Sequence, residues 1–275
     1  MRTIIVIAAF LIAGQLAAQK IMTYNVAEGF GKKTEELQTW MQEQKVDIAA
    51  FQEANVSEDE AKKIAKKWKH KHTALVNVGG KNLLVTSRYP IQLGNANGYL
   101  TATINKLKIY VAQVNKDSLH IQQALVDKIT ESMQKQANVG VKVVFLGHVE
   151  GYAKSDSSAY TQRFRMIPIR DRANREIIKQ ISSYSKRKNY QLLKAFTEKE
   201  FYDPIAAVRT QGKVEYTFPS KKMGDIPEYR SYRVDYILLS PNLRNLAKDA
   251  QVVRDRFTHK FSTHYPVVVS LGESK

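Results

Sequence analysis

Val46-Asp47-Ile48-Ala49-Ala50-Phe51-Gln52-Glu53 reads as a short β-strand that stops in two polar residues. The same arrangement recurs along the chain. Ile21–Val26 carries Asn25 near its end, and Val141–Leu146 runs into Gly147-His148-Val149-Glu150. Tyr232–Ser240 sets Asp235 inside an apolar run, and Ser262-Thr263-His264-Tyr265-Pro266 opens a last strand over Val267–Leu271. Enzymes built on α/β sheets place polar side chains where strands stop, because the sheet holds them rigidly while the loops leave access. Each of these residues also has a structural reading. A strand-end Asn serves a turn, a lone Glu is solvated, and a His beside a strand can be a satisfied structural residue. Asp235 is the hardest to set aside, since a carboxylate within an apolar strand needs a partner.

Around these runs the pattern alternates between strand and helix. Further strands are expected at Thr73–Val78, Asn82–Thr86 and Leu107–Val114, the first two joined by a hairpin turn at Asn77-Val78-Gly79-Gly80-Lys81-Asn82. Ser57 and Glu60 form a capping box that starts a helix running to about Lys69. Other helices are expected over Glu35–Gln44, with Leu37, Trp40 and Met41 inward, and over about Ser118–Gln136, with apolar Ile121, Leu125, Ile129 and Met133 at four-residue spacing. Two more are expected over Asn174–Tyr184 and Tyr190–Phe196, and a long surface loop over Pro219–Arg230. Strands alternating with helices indicate an α/β fold. With no low-complexity linker and no repeat of 20–50 residues, residues 19–275 read as one domain.

The 275 residues hold no cysteine, which excludes a disulfide scaffold, thiolate metal sites and thiol catalysis. Lys and Arg total 43 against 26 Asp and Glu, a formal charge of +17. The excess gathers at Lys62–Lys71 and at Arg163–Lys188, the latter including Arg163, Arg165, Arg170, Arg172 and Arg175. Such surfaces attract nucleic acid, anionic head groups or phosphorylated small molecules, or serve as solvated helix faces that keep a protein soluble. Residues 1–18 form a charged start, an apolar stretch and Gln15-Leu16-Ala17-Ala18, the pattern of a cleaved secretory signal. Export to the periplasm or beyond is therefore expected. The remaining chain has no run long enough to span a bilayer.

Six segments, in order, resemble the endonuclease/exonuclease/phosphatase superfamily, the DNase I-like fold. They are Ile21-Met22-Thr23-Tyr24-Asn25, Val46–Glu53, Leu84-Val85-Thr86-Ser87-Arg88-Tyr89-Pro90-Ile91, Val143–Glu150, Arg233-Val234-Asp235-Tyr236-Ile237 and Ser262–Val267. The resemblance implies a four-layer α/β sandwich, two packed mixed sheets flanked by helices, and a site at one rim. It also implies phosphodiester or phosphomonoester hydrolysis with a divalent metal, usually Mg²⁺. Asn25 then matches the family's metal- and phosphate-orienting asparagine, and Glu53 its metal-binding glutamate. Asp235 matches the aspartate that pairs with the terminal histidine, and His264 matches that histidine.

Other positions depart from the pattern. Gln113 stands where the family has a catalytic histidine, His148 replaces the aspartate that activates water, Glu150 replaces an asparagine and Thr263 replaces an aspartate. Two expectations follow. In one, the site is rebuilt: His148 and Glu150, two apart on a strand, face one side and with Glu53 hold Mn²⁺ or Zn²⁺ rather than Mg²⁺, with Glu150 as base. In the other, the chain is an inactive binding module for a phosphorylated polyanion. Gln113, Arg163 and Arg165 join Asn25 as candidate substrate contacts in either case.

Overall fold

The computed structural model describes residues 18–27, 29–31, 34–94, 97–114, 118–158, 160, 190–208, 215–227 and 230–273. Arg163, Arg165, the expected helix over Asn174–Tyr184 and most of the signal-like leader lie outside them. One sheet has six strands in the order β10-β11-β1-β2-β4-β3, and the other has five in the order β5-β6-β7-β8-β9. The first comprises β1 (Gln19–Asn25), β2 (Ile48–Gln52), β3 (His72–Val78), β4 (Lys81–Ser87), β10 (Ala247–Val252) and β11 (Val267–Leu271). The second comprises β5 (Ile91–Leu93), β6 (Leu100–Ile104), β7 (Leu107–Val114), β8 (Lys142–Val149) and β9 (Asp235–Leu239). Both sheets are mixed: β1–β2 and β7–β8 pair in parallel and the other neighbours antiparallel.

Because side chains alternate across a strand, each sheet has an inner and an outer set. Ile21, Ile48, Ala50, Leu83 and Val85 of the first sheet meet Ile109, Val111, Val144, Leu146 and Ile237 of the second in one buried cluster. The outer face of the first sheet, with Met22, Tyr24 and Phe51, is covered by α1 (Thr34–Gln44) and α2 (Glu58–Lys67) through Leu37, Trp40, Ala61 and Ala65. On the other outer face, Tyr110, Phe145 and Tyr236 pack with Val126, Ile129 and Met133 of α3 (Leu119–Asn138) and with Leu192 and Phe196 of α4 (Gln191–Thr197). The result is helix, sheet, sheet, helix, the four layers of the DNase I-like fold. Among the described residues no helix is long and apolar enough to cross a membrane.

Local chemistry accounts for the ends of these elements. The Ser57 hydroxyl accepts from the Glu60 backbone N–H while the Glu60 carboxylate accepts from the Ser57 N–H, completing the expected capping box. Gly79 and Gly80, both at positive φ, turn β3 into β4, and the Asn77 side chain accepts from the Gly80 N–H. Two expectations are corrected. Ile121 is 53% exposed, and α3 instead buries the face of Gln122, Val126, Ile129 and Met133. β8 continues three residues past Leu146, so Gly147, His148 and Val149 belong to the strand. A Cβ on Gly147 would lie 2.2 Å from the Ala112 carbonyl oxygen of β7, so only glycine lets the two strands approach this closely just before His148.

The candidate site at the rim between the sheets

The apolar inner rows end in polar residues at one end of the sandwich. On β1 the inward series is Ile21, Thr23, Asn25; on β7 it is Ile109, Val111, Gln113; on β8 it is Val144, Leu146, His148; on β9 it is Asp235, Ile237, Leu239. Strand register aligns them. Gln113 sits opposite His148 across β7–β8, and His148 sits opposite Asp235 across β8–β9. The two-residue period thus carries the hydrophobic core directly into a polar rim.

Asp235 is the centre of that rim. It is fully buried, and each carboxylate oxygen takes a different imidazole: Oδ1 lies 3.2 Å from His148 Nδ1 and Oδ2 lies 2.8 Å from His264 Nδ1. Burial opposes ionisation, but the charge of His264 and hydrogen bonds from both imidazoles outweigh it and hold the carboxyl well below its ordinary range. An ionised carboxylate only accepts, so both Nδ1 atoms must carry protons, and Nε2 is the ring atom left facing away from Asp235. His148 is 4% exposed and His264 7%. Their rings meet edge to face with centroids 5.2 Å apart, and Phe218 lies against His264 with centroids 4.8 Å apart.

The backbone under this unit is fixed by two neighbouring hydroxyls. The Thr217 hydroxyl accepts from the backbone N–H groups of Val234 and Asp235, at 3.0 and 3.1 Å, and fixes the start of β9. Ser262 donates its hydroxyl to the Asn25 carbonyl at 2.7 Å and accepts from the His264 N–H at 3.2 Å, tying the end of β1 to the histidine. Asn25 is buried, and its Oδ1 accepts from the Ala27 N–H at 3.0 Å, which leaves the amide NH₂ as its free end for donation. Glu53 follows β2 at a φ of +59°, a left-handed conformation that non-glycine residues adopt at a cost. Its Oε1 accepts from Gln113 Nε2, joining the two sheets across the rim.

Asn25, Glu53, Gln113, His148, Asp235 and His264 are therefore all seated at one end of the two sheets. Glu150 is not placed as its spacing suggested. β8 stops at Val149, and Glu150 lies exposed in the bend beyond, where the strand's alternation no longer applies. Among the described residues, the group whose ligand atoms come within 4.8 Å of one another is His148, Asp235 and His264, not Glu53, His148 and Glu150.

Four layers, two mixed sheets and a polar rim at the strand ends define the fold as DNase I-like. Solved structures agree. An AP endonuclease from Archaeoglobus fulgidus superposes with a TM-score of 0.71 at 16% identity, over 92% of this chain and 99% of that one. The 3′ phosphatase NExo from Neisseria, bound to a product DNA hairpin, gives 0.69 at 18% identity over 92% and 99%. The 3′–5′ exonuclease NExo from Neisseria meningitidis gives 0.69 at 17% over 92% and 100%. No protein-family model and no curated protein sequence matches the chain.

Proposed function

We propose that this chain is a phosphoester hydrolase acting on nucleic acid or another phosphorylated polyanion, with one imidazole, His148, at a position where the family it resembles uses a carboxylate. The observation that carries this reading is the Asp235 carboxylate holding His148 and His264 at 3.2 and 2.8 Å in a buried rim. Two oriented imidazoles have no use in a core that Val, Leu and Ile would fill more cheaply, because each buried polar ring must be desolvated. With Nδ1 of His264 held by Asp235, its Nε2 edge faces away from the carboxylate and, when the ring carries both protons, can donate to a phosphoryl oxygen or leaving group. The free NH₂ of Asn25 is a second donor suited to such an oxygen. The charge of +17 draws polyanions to the surface in a salt-dependent way.

By resemblance the site should take Mg²⁺, a hard ion that asks for about six oxygen ligands. The residues fit it poorly. Asp235 is engaged by two imidazoles, the Asn25 side-chain oxygen accepts from the Ala27 N–H, and Glu150 is exposed beyond the end of β8. Glu53 remains as one carboxylate, shared with Gln113. That same Glu53–Gln113 link favours a second reading, an inactive module that retains polyanion binding, because a neutral amide already satisfies an oxygen a metal would otherwise take. Residues 1–18 are proposed as a removable export signal, which N-terminal sequencing of the protein from its native cell would check.

Hydrolysis of DNA, RNA and small phosphodiesters or phosphomonoesters, assayed with Mg²⁺, Mn²⁺ and Zn²⁺, tests the enzyme reading. Turnover lost in His264→Gln supports it. No turnover with any ion, alongside salt-sensitive DNA binding, supports the binding module.

A further inference from the structure

Two acceptor atoms in the rim are buried without a hydrogen-bond partner: His148 Nε2 and Gln113 Oε1. They belong to residues directly opposite one another on β8 and β7, both on the inner face. Gln113 has spent its donor on Glu53, and His148 has turned its Nδ1 to Asp235. With His148 uncharged, neither remaining atom can satisfy the other, because both then offer lone pairs. Leaving such atoms unsatisfied in a dry site is costly. What this corner lacks is a positively polarised ligand. A phosphate arriving alone would make matters worse, since it would meet two lone pairs beside the Asp235 and Glu53 carboxylates.

We infer that His148 and His264, held in place by Asp235, form with the Gln113 carbonyl oxygen a site for one nitrogen-seeking divalent cation of the Zn²⁺ or Mn²⁺ class, in place of the Mg²⁺ that the family resemblance implies. The donor set argues for the class: two imidazole nitrogens select a transition ion, whereas Mg²⁺ does not favour nitrogen. Each ring brings a nitrogen within 4.8 Å of the other's, and the ring centroids are 5.2 Å apart, so small side-chain shifts let both share one ion. Asp235, bonded to both Nδ1 atoms, is the carboxylate that fixes the ring orientations of two histidine ligands, an arrangement metal sites commonly use. The Gln113 carbonyl oxygen lies on the same side as a further acceptor. Three protein groups leave a coordination position open, as catalytic sites require, and an ion there would supply the positive charge a phosphoryl oxygen needs. The inference deepens the hydrolase reading but is tested without turnover.

The experiment is competition between the metal-free full-length protein and a chromophoric chelator, with Zn²⁺, Mn²⁺ and Mg²⁺ as probes and thermal melts alongside. One equivalent of Zn²⁺ is expected, bound far more tightly than Mg²⁺ and raising the melting temperature. His148→Leu and His264→Gln should each weaken it at least 100-fold, and Asp235→Asn about 10–100-fold. His120→Gln, on the exposed face of α3, should leave Zn²⁺ binding intact. Circular dichroism of each metal-free variant identifies any that fail to fold; His148→Gln, which keeps a polar side chain, replaces His148→Leu in that case. Undiminished binding in folded His148 and His264 variants overturns the inference. So does a folded wild type that binds no ion, with only water at His148 Nε2. Zn²⁺ binding without hydrolysis would sustain this site while refuting the hydrolase reading, and Mg²⁺-dependent hydrolysis without Zn²⁺ binding would do the opposite.

Discussion

Asp235→Asn changes one atom in the rim and forces a choice between the two histidines. In the wild type each carboxylate oxygen accepts from one Nδ1–H, at 3.2 Å from His148 and 2.8 Å from His264. An asparagine offers one acceptor and one donor group. One imidazole keeps its Nδ1 proton; the other must accept at Nδ1 and move its proton to Nε2, so one of the two outward lone pairs disappears. Hydrogen bonds to a charged group contribute about 1.5–3 kcal/mol each and neutral ones about 0.5–1.5. Exchanging two charged for two neutral bonds should therefore cost about 2 kcal/mol, with relief from burying a charge pulling the value down. Any turnover that needs both imidazoles should fall by about 10²–10⁴. Nitrogen-15 NMR of the imidazoles reads the tautomers directly, denaturant unfolding reads the stability, and hydrolysis of the best substrate reads the rate. The reasoning is refuted if the variant keeps both Nε2 atoms unprotonated, unfolds at the wild-type midpoint and turns over normally.

Other expectations are structural. His70 is buried between Val46 and Thr86, its Nε2 2.8 Å from the Val46 carbonyl and its Nδ1 2.7 Å from the Thr86 hydroxyl, and burial is the main cause that lowers its pKa from 6.5 to about 4. The unfolded chain therefore takes up this proton first, so the contribution is full above about pH 6.5, declines as pH falls and is gone below about pH 4. At 1.36 kcal/mol per pH unit the change is about 3 kcal/mol; urea midpoints of wild type and His70→Gln across that window should converge at acid pH, and parallel curves would contradict this. Arg233 is buried against Asp156 at 3.1 Å and Asp203 at 2.6 Å, so Asp203→Ala should destabilise by about 3 kcal/mol by leaving that charge half-compensated, as read by chemical unfolding. Gly147→Ala should destabilise by roughly 1–3 kcal/mol, because β8 must move off β7 to admit the methyl group. DNA retention should drop steeply from 50 to 200 mM salt if several phosphates are neutralised, and a flat response would remove the polyanion reading.

Most of the scaffold was legible because the strands that build it are short apolar runs with sharp ends. Leu107–Val114 and Val267–Leu271 are found where the residues place them. The strands left out were β5, β6 and β10. β5 is three residues long, β10 (Ala247–Val252) is half polar and lies at a sheet edge, and β6 (Leu100–Ile104) interleaves Thr101 and Thr103 with its apolar residues. Asn25, Glu53, Asp235 and His264 were visible as polar residues at strand ends. Invisible were the partners that only strand pairing creates. That His148 faces Asp235 depends on the β8–β9 register across 87 residues of sequence, which long-range packing sets. The same holds for Gln113 meeting Glu53 from the other sheet, and for Thr217 and Ser262 beneath the site. Glu150 failed for a local reason: the two-residue period is a property of the strand, and the strand had ended.

Gly147 has a further consequence for how such a rim can change. The contact with Ala112 pins the main chain of β8 one residue before the position at which a side chain is displayed, so what hangs from position 148 can be exchanged without disturbing where it hangs. Carboxylate or imidazole, the group is delivered to the same spot opposite Asp235. A fold keyed in this manner is a socket whose fitting can be swapped, and its chemistry can drift while its architecture stands still.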